Sequence, residues 1–396
     1  MRTWLGAALA AGLLVLPAAG MAKDGVRLTP DKAAKLRNAG AEVLFWSQAE
    51  RDANFPNMER LFPGDTVAAS DHPRPLPDGK PLALGPGDPA GAYMVANNVA
   101  GLLVLQHGKV RLERYARGFS RTGRWTSFSV AKSLTSTLVG AAIADGYIAS
   151  VDDPVSRYIP ELTGAGYDGV TIRQVLTMTS GVRWNEDYTD PKSDVARMLT
   201  EPPPAGVDQT VAYMRALPRE AEPGTKWVYK TGETNLIGVL VARATGKSLA
   251  AYAAEKIWQP YGMEQPLFWM VDSGGGNIGG CCLSASLRDY ARIGQFVLDG
   301  GVAAGRKVVA DGWFAAATHG QADTGAPGYG YGYQWWTEPD ASFDARGIFG
   351  QMIHIDPARG LVVAMVSAWP RATDPALSEA RRVFVTRISA ALDAGR

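Results

Sequence analysis

Strand-like patterns lie towards the two ends of this chain and helix-like patterns fill its middle, an order that limits the possible folds. Two apolar-rich stretches, residues 100–106 and 110–118, flank "HGK" and predict an early β-hairpin. Strand patterns return only late and a helical stretch follows them, in residues 329–337, 347–357 and 360–369 and then 374–394. The sequence therefore predicts an α+β fold: an antiparallel sheet from both chain ends, flanked by helices, with a mostly helical insertion at about residues 150–270.

The N-terminus has the pattern of a secretory signal peptide. Arg2 precedes an apolar run over residues 4–16, and small residues follow up to Ala22. The run is too short to cross a bilayer, and a buried N-terminal helix is the alternative interpretation. We expect cleavage after residue 22, an N-terminal extension and linker over residues 23–90, and the main domain over residues 91–396. The mature protein is expected to be exported, periplasmic or secreted, without a membrane anchor.

Charge and cysteine content exclude several classes of function. Forty Lys and Arg residues face 39 Asp and Glu residues, and no basic run alternates with aromatic residues, so nucleic acid is not an expected partner. Cys281 and Cys282 are adjacent, and a Cα separation of about 3.8 Å across a trans peptide lies below the usual disulfide range. We therefore expect no bridge between them. They also lack the spaced partners of a zinc site, so no metal or cofactor is predicted.

A serine and a lysine stand one helical turn apart in "RWTSFSVAKSLTST". Residues three apart share a helix face, so the Lys132 ammonium can reach the Ser129 hydroxyl. The apolar residues around Lys132 predict burial, which lowers its pKa and lets the neutral amine act as a general base. The start of a helix also favours negative charge on the serine oxygen. The alternative is a capping serine with a lysine that reaches solvent.

A tyrosine in "WVYKTGETNLIG" is the third candidate. Tyr229 precedes a glycine-containing turn that opens a helix. Held between a lysine and a serine, its hydroxyl could relay protons and protonate a leaving group. The alternative is a core aromatic residue whose hydroxyl has found a partner.

Six blocks in order carry a resemblance to a known family: "SFSVAKS", "GYIASVDDPVSRYIPEL", "YDGVTIRQVLTMTSGVRWNEDY", "WVYKTGETNLIG", "CCLSASLRDYARIG" and "RGIFGQMIHIDP". The chain resembles the serine β-lactamase-related hydrolases, in particular class C β-lactamases and the 6-aminohexanoate-dimer hydrolase type of carboxylesterase. This resemblance implies a β-lactamase/transpeptidase-like fold. It also implies an acyl-enzyme on Ser129, with Lys132 as its base and Tyr229 as the tyrosine of the second motif.

The same resemblance implies a set of substrate contacts. The backbone N–H groups of Ser129 and Ile348 are the expected oxyanion hole, and Gly347 lets the backbone approach the substrate closely. Tyr188 matches a tyrosine that closes over the substrate in 6-aminohexanoate-dimer hydrolases, the alternative being a loop aromatic that covers the core. Two tryptophans are further expected to line the pocket, Trp184 and Trp269.

Departures from the family pattern leave the substrate open. The second motif has Thr231 where class C enzymes have asparagine, and the third motif corresponds to Ala345–Arg346–Gly347, without the first basic residue. Strand alternation predicts that Arg346 faces away from the site. We expect a hydrolase of small ester or amide substrates. A β-lactamase or D-Ala-D-Ala-type carboxypeptidase, and a non-catalytic penicillin-binding or sensor protein, remain alternatives, and the oligomeric state is not predicted.

Overall fold

The larger of the two main sheets takes its strands from both ends of the chain. The computed structural model describes residues 42–395 together with Thr29, Asp31, Ala34 and Gly40, so the predicted signal peptide lies outside the described residues. The eight-stranded sheet has the order β3-β2-β14-β13-β12-β11-β10-β9, with antiparallel neighbours throughout. Its strands are β2 (Val99–Gln106), β3 (Lys109–Tyr115), β9 (Ala322–Asp323), β10 (Gly330–Tyr331), β11 (Trp336–Thr337), β12 (Phe343–Gly347), β13 (Gln351–Asp356) and β14 (Leu361–Ser367). The predicted α+β fold is confirmed.

A smaller sheet was not anticipated from the sequence. It has the order β1-β5-β6-β4 and lies beside the large sheet's core. Each of its strands is only two to four residues long, too short for a clear alternating pattern. The strands are β1 (Gly64–Val67), β4 (Trp125–Thr126), β5 (Leu267–Met270) and β6 (Leu283–Ala285), and a separate pair is formed by β7 (Val302–Ala303) and β8 (Arg306–Lys307).

Helices cover the large sheet and fill the middle of the chain. Among the described residues, the two longest helices are Thr231–Thr245 and Pro375–Ala394, and several of the others have only four or five residues. The α-helices are α1 (Gln48–Asn54), α2 (Met58–Leu61), α3 (Pro89–Ala96), α4 (Ala131–Ala144), α5 (Ile172–Leu176), α6 (Asp194–Arg197), α7 (Gln209–Arg215), α8 (Thr231–Thr245), α9 (Leu249–Ala253), α10 (Leu287–Leu298), α11 (Trp313–Ala317) and α12 (Pro375–Ala394).

Both faces of the large sheet are buried at its central strand β14. Val362, Ala364 and Val366 point into the main core, against which α10 packs. The alternate residues Val363 and Met365 point into a second cluster that includes side chains of α3 and α12. Because residues on both faces of β14 are buried in one of these two clusters, the strand is a continuous apolar run in the sequence.

The segment before residue 91 is part of the same folded unit. Strand β1 pairs with β5, and Phe55 is fully buried against Trp125 and Phe128. The predicted extension therefore covers the side of the domain that carries the Ser129 segment. In the described part of the chain, no helix is long and apolar enough to cross a membrane.

The two helices that carry the predicted catalytic motifs pack against each other. Helix α4 follows Ser129 and contacts α8, which begins at Thr231 directly after the Tyr229 motif. The 3-10 turn Phe128–Val130, which precedes α4, contacts β12 and β13 of the large sheet. The candidate site therefore lies where the sheet meets the helical middle of the chain.

Candidate active site

Ser129 sits in a tight turn at the entrance of α4. It lies within the 3-10 turn Phe128–Val130, and Phe128 has a φ of 43°, a left-handed conformation that is rare for a bulky residue. Such backbone conformations persist where the surrounding structure holds them, and they are frequent at functional sites. Ser129 is 8% exposed and lines two adjoining cavities.

Lys132 is buried beneath the serine. Its Nζ atom donates hydrogen bonds to Ser129 Oγ at 3.1 Å, Thr231 Oγ1 at 3.0 Å and the Gly280 carbonyl oxygen at 2.7 Å. Burial lowers the pKa of Lys132 to about 7, and the negative charge of Glu186 partly opposes that effect. An amine with this pKa is partly neutral near pH 7 and can take a proton from the serine hydroxyl.

Tyr229 lies beside both the serine and the lysine. Its ring stacks on Trp336, with centroids 5.5 Å apart, and Lys132 Nζ lies 5.3 Å from the Tyr229 centroid. Burial and Glu186 raise the pKa of Tyr229 above its usual value, whereas its hydrogen bond with Ser129 lowers it. The phenol is therefore protonated at neutral pH and can serve as a proton donor within one relay with Ser129 and Lys132.

Glu186 connects the loop that carries Tyr188 to this relay, and the sequence analysis missed it. Its carboxylate accepts hydrogen bonds from the Tyr188 hydroxyl at 2.7 Å and from the Thr231 backbone N–H at 2.9 Å. The Thr231 hydroxyl and Trp184 Nε1 also donate to it. Since Thr231 Oγ1 accepts from Lys132, a hydrogen-bonded chain runs from Ser129 to Glu186. The only signal in the sequence is an acidic residue two positions before Tyr188 in a loop.

The end of strand β12 lies against the backbone of the serine turn. A Cβ atom on Gly347 would lie 2.6 Å from the Ser127 carbonyl oxygen and 3.2 Å from the Ser129 nitrogen, so only glycine fits. Ile348 follows directly and lines both cavities with Ser129. Ser129 and Ile348 therefore share the two cavities beside this contact, and the oxyanion hole expected from their backbone N–H groups stays a prediction.

Sequence and structure comparisons agree on one family. The sequence profile of the Beta-lactamase family matches residues 91–387. The chain is 33% identical to 6-aminohexanoate-dimer hydrolase of Paenarthrobacter ureafaciens over 287 residues, which cover 68% of this chain and 72% of that protein. The chain belongs to the β-lactamase family.

The chain is also similar to an esterase and to a class C β-lactamase. Esterase EstB of Burkholderia gladioli is 30% identical over 177 residues, 41% of this chain and 44% of that protein. A solved class C β-lactamase superposes with a TM-score of 0.57 at 18% identity, covering 76% of this chain and 94% of the other, and shows the shared fold. The family of serine hydrolases to which the chain belongs thus includes esterases and amidases.

The third family motif departs from the predicted orientation. Ala345 is 1% exposed and points into the main core, and Arg346 lies on the opposite face of β12, as alternation requires. The prediction that Arg346 faces away from the site was nevertheless wrong, because the cavity at Ser129 continues around Gly347 onto that second face, where Arg346 lines it. The Arg346 guanidinium is engaged by ion pairs with Asp344 and Glu338.

The two tryptophans expected in the pocket lie elsewhere. Trp269 is fully buried in β5 and donates to the Ile278 carbonyl oxygen at 2.9 Å. Trp184 is 7% exposed and lies beneath the loop, where it donates to Glu186. Neither residue lines either cavity at Ser129, because both indoles fill core positions. Tyr188, by contrast, lines both cavities beside the serine.

The expectation of unbridged cysteines was also wrong. Cys281 and Cys282 form a disulfide between neighbouring residues, with Cα atoms 3.7 Å apart. The expected Cα range describes bridges between separate chain segments, whereas this bond closes a small ring that contains the peptide between the two residues. Cys281 directly follows Gly280, whose carbonyl oxygen accepts a hydrogen bond from Lys132. The disulfide therefore directly follows the residue whose carbonyl oxygen holds the Lys132 ammonium.

Proposed function

We propose that the protein hydrolyses ester or amide bonds of small substrates through an acyl-enzyme on Ser129, with Lys132 as general base and Tyr229 in the proton relay. The observation that carries the proposal is the hydrogen bond of 3.1 Å between a fully buried Lys132 amine and Ser129 Oγ. A lysine is rarely buried without an ionic partner unless its neutral form is used. Membership of a serine hydrolase family that includes esterases and amidases supports the same reaction.

The reaction proceeds in two balanced halves. Ser129 Oγ attacks the substrate carbonyl carbon while its proton passes to Lys132, and the carbonyl oxygen becomes an oxyanion between the backbone N–H groups of Ser129 and Ile348. The bond to the leaving group then breaks, and the departing oxygen or nitrogen takes a proton through Tyr229. Water attacks the acyl-enzyme in the second half, releasing the carboxylic acid and returning the proton to Ser129.

Two cavities meet at Ser129 and differ in chemistry. The apolar pocket has a volume of about 100 Å³ and includes Met198, Leu199 and Ile278 in its lining. The second cavity has a volume of about 960 Å³ and includes Tyr229. We call it the polar cavity because charged side chains, among them Glu338, Arg346 and Arg381, also line it. Because Tyr229 lines only the polar cavity, the leaving group that it protonates lies there, and a short apolar acyl group fills the apolar pocket.

Esters and linear amides fit this site better than β-lactams do. In the third motif the basic residue that holds a substrate carboxylate is replaced by Ala345, which is buried in the core, and Arg346 is engaged by two acidic residues. A carboxylate next to the scissile bond therefore loses a charged partner, which weakens its binding by roughly ten- to a hundredfold. We expect kcat/KM to be correspondingly higher for short-chain esters than for penicillins.

Export to an oxidising compartment is part of the proposal. The apolar run over residues 4–16 supports a signal peptide, and the Cys281–Cys282 bridge supports an oxidising environment, in which disulfides persist. Expression with a C-terminal tag, followed by fractionation and N-terminal sequencing, tests this point. Mature protein that retains residues 1–22 in the cytoplasm would contradict it.

Covalent labelling tests the proposed nucleophile. The wild-type protein should gain the mass of one fluorophosphonate probe and hydrolyse 4-nitrophenyl acetate, whereas Ser129→Ala should do neither. Ser133→Ala is the matched control, because Ser133 is a buried serine one helical turn further along and donates to the Gln334 carbonyl oxygen. Labelling or turnover that survives in Ser129→Ala would refute the mechanism.

A further inference from the structure

The polar cavity continues beyond the catalytic groups onto a second face of the large sheet. Trp336, Asp344 and His354 are register partners on adjacent strands and therefore share one face. On this face α12 packs over β2, β13 and β14, but its side chains leave the surface of β11 and β12 open to the cavity. The result is a groove with a strand floor and with α12 as one wall.

The charged groups on the floor of this groove are already paired. Arg346 binds Asp344 and Glu338, and His354 Nδ1 lies 2.7 Å from Asp344. Burial alone would raise the pKa of Asp344, but Arg346 and His354 hold it below its usual range. The floor therefore consists of mutually satisfied charges and leaves no strong site for a further ion.

Arg381 in the α12 wall is different, because it is buried and unpaired. Its side chain is 8% exposed and lines the cavity, and its Cζ atom lies 5.0 Å from the centroid of Trp369. Among the described residues, none accepts a hydrogen bond from its guanidinium, and no carboxylate lies within ion-pair distance. Other arginines of the same helix have partners: Arg382 binds Glu379, and Arg387 donates to the Leu84 carbonyl oxygen.

The charge of Arg381 persists in spite of its burial. Burial and the neighbouring Arg346 lower the pKa of Arg381 to about 10, and the more distant charges of Asp344 and Glu338 partly oppose them, so the guanidinium remains protonated at neutral pH. A buried cation without a partner is unfavourable unless a ligand supplies the opposite charge. A planar guanidinium is also well suited to a carboxylate, which it can bind through two parallel hydrogen bonds.

We propose that Arg381 binds a carboxylate on the leaving group of the substrate, so that preferred substrates are short acyl esters or linear amides of hydroxy or amino acids. The inference rests on the proposed function, because the proton delivered through Tyr229 places the leaving group in the polar cavity. One unpaired guanidinium balances one negative charge, which favours a carboxylate over a phosphate dianion. The carboxylate lies away from the scissile bond, because Arg381 is on α12 whereas the scissile bond lies at Ser129.

The subsite is tested in the full-length protein with pairs of substrates. One member of each pair is the acetate ester of a linear ω-hydroxy acid, and the other is the acetate ester of the corresponding neutral ω-hydroxy N-methylamide. Wild type should favour the acid at one or more spacer lengths by roughly ten- to a hundredfold in kcat/KM. Arg381→Met should remove this preference and leave kcat/KM for the neutral ester within about twofold, and Arg381→Lys should restore part of it. Arg387→Met, which removes an exposed arginine from the same helix, should leave the preference unchanged.

If Arg381→Met does not fold, as judged by circular dichroism, inhibition of the wild-type protein tests the subsite. The free ω-hydroxy acid should inhibit wild type competitively, and the neutral hydroxy amide should inhibit it at least tenfold more weakly. Equal inhibition, or equal kcat/KM for the two esters at every spacer length, would overturn the subsite. A sulfonate accepted as well as the carboxylate would overturn the assignment to carboxylates in favour of anions in general. Failure of wild type to turn over even the neutral ester in a Ser129-dependent way would instead refute the proposed function.

Discussion

Replacing Glu186 by glutamine should shift the pH dependence of activity to lower pH. The Glu186 charge raises the pKa of Lys132, against the larger lowering by burial, and the resulting pKa is about 7. Activity that requires the neutral amine falls as the pH drops through this value. Removal of the carboxylate charge leaves burial unopposed, so the pKa of Lys132 falls and the neutral base persists into more acidic solution.

The size of the shift follows from the geometry. Lys132 and the Glu186 carboxylate are bridged by the single hydroxyl of Thr231. Unit charges about 5 Å apart interact by about 1–3 kcal/mol for effective dielectric constants between about 80 and 20. The acidic limb should therefore move down by about one to two pH units, since one pKa unit corresponds to about 1.4 kcal/mol. At pH 6 wild type should retain about a tenth of its plateau rate, and Glu186→Gln about half or more of its own plateau.

The assay is the profile of kcat/KM against pH for a neutral ester, because this profile reports ionisations of the free enzyme. The plateau itself should fall in Glu186→Gln, since an amide has one oxygen to accept from Tyr188, Trp184 and Thr231. Asp187→Asn is the matched control, because it removes an exposed carboxylate from the adjacent position and should leave the acidic limb in place. An unchanged limb in Glu186→Gln, or one moved to higher pH, would refute the coupling of Glu186 to Lys132.

Two further predictions concern the relay and the oxyanion hole. Lys132→Ala and Tyr229→Phe should each lower kcat by orders of magnitude. The double variant should lose far less than the product of the two single losses in kcat, because both residues serve one proton path. Losses that multiply fully in single-turnover kinetics would argue for separate roles. Gly347→Ala should lower kcat by roughly tenfold or more at little cost in KM, since the added methyl would press on Ser127 and Ser129 at the proposed oxyanion hole. Wild-type kcat in a folded variant would contradict this.

Local patterns were sufficient for the motifs that lie on regular elements. The spacing of Ser129 and Lys132 on one helix face and the apolar residues around them predicted the hydrogen-bonded, buried pair seen in the structure. Strand alternation likewise placed Ala345 and Arg346 on opposite faces of β12. Such features depend on neighbours within one turn or one strand, and these are fixed by backbone geometry.

Only the tertiary structure shows the residues that act across loops. Glu186 reaches Thr231 and, through it, Lys132 because a loop folds over the start of α8, and no spacing rule links residues so far apart. Arg381 likewise could not be distinguished from Arg382, its neighbour on the same helix. The packing of α12 buries the first at the cavity wall and leaves the second exposed beside Glu379.

The sequence by itself determined the longer strands of the large sheet and the longer helices, and it placed a serine and a lysine on one helix face, because periodicity and spacing are local properties. The tertiary structure decided which side chains share a cavity, because the path of the cavity around Gly347 depends on how β12, α12 and the serine turn pack together. It also decided where charge is left without a partner, since Arg346 forms ion pairs with Asp344 and Glu338 whereas Arg381 forms none among the described residues.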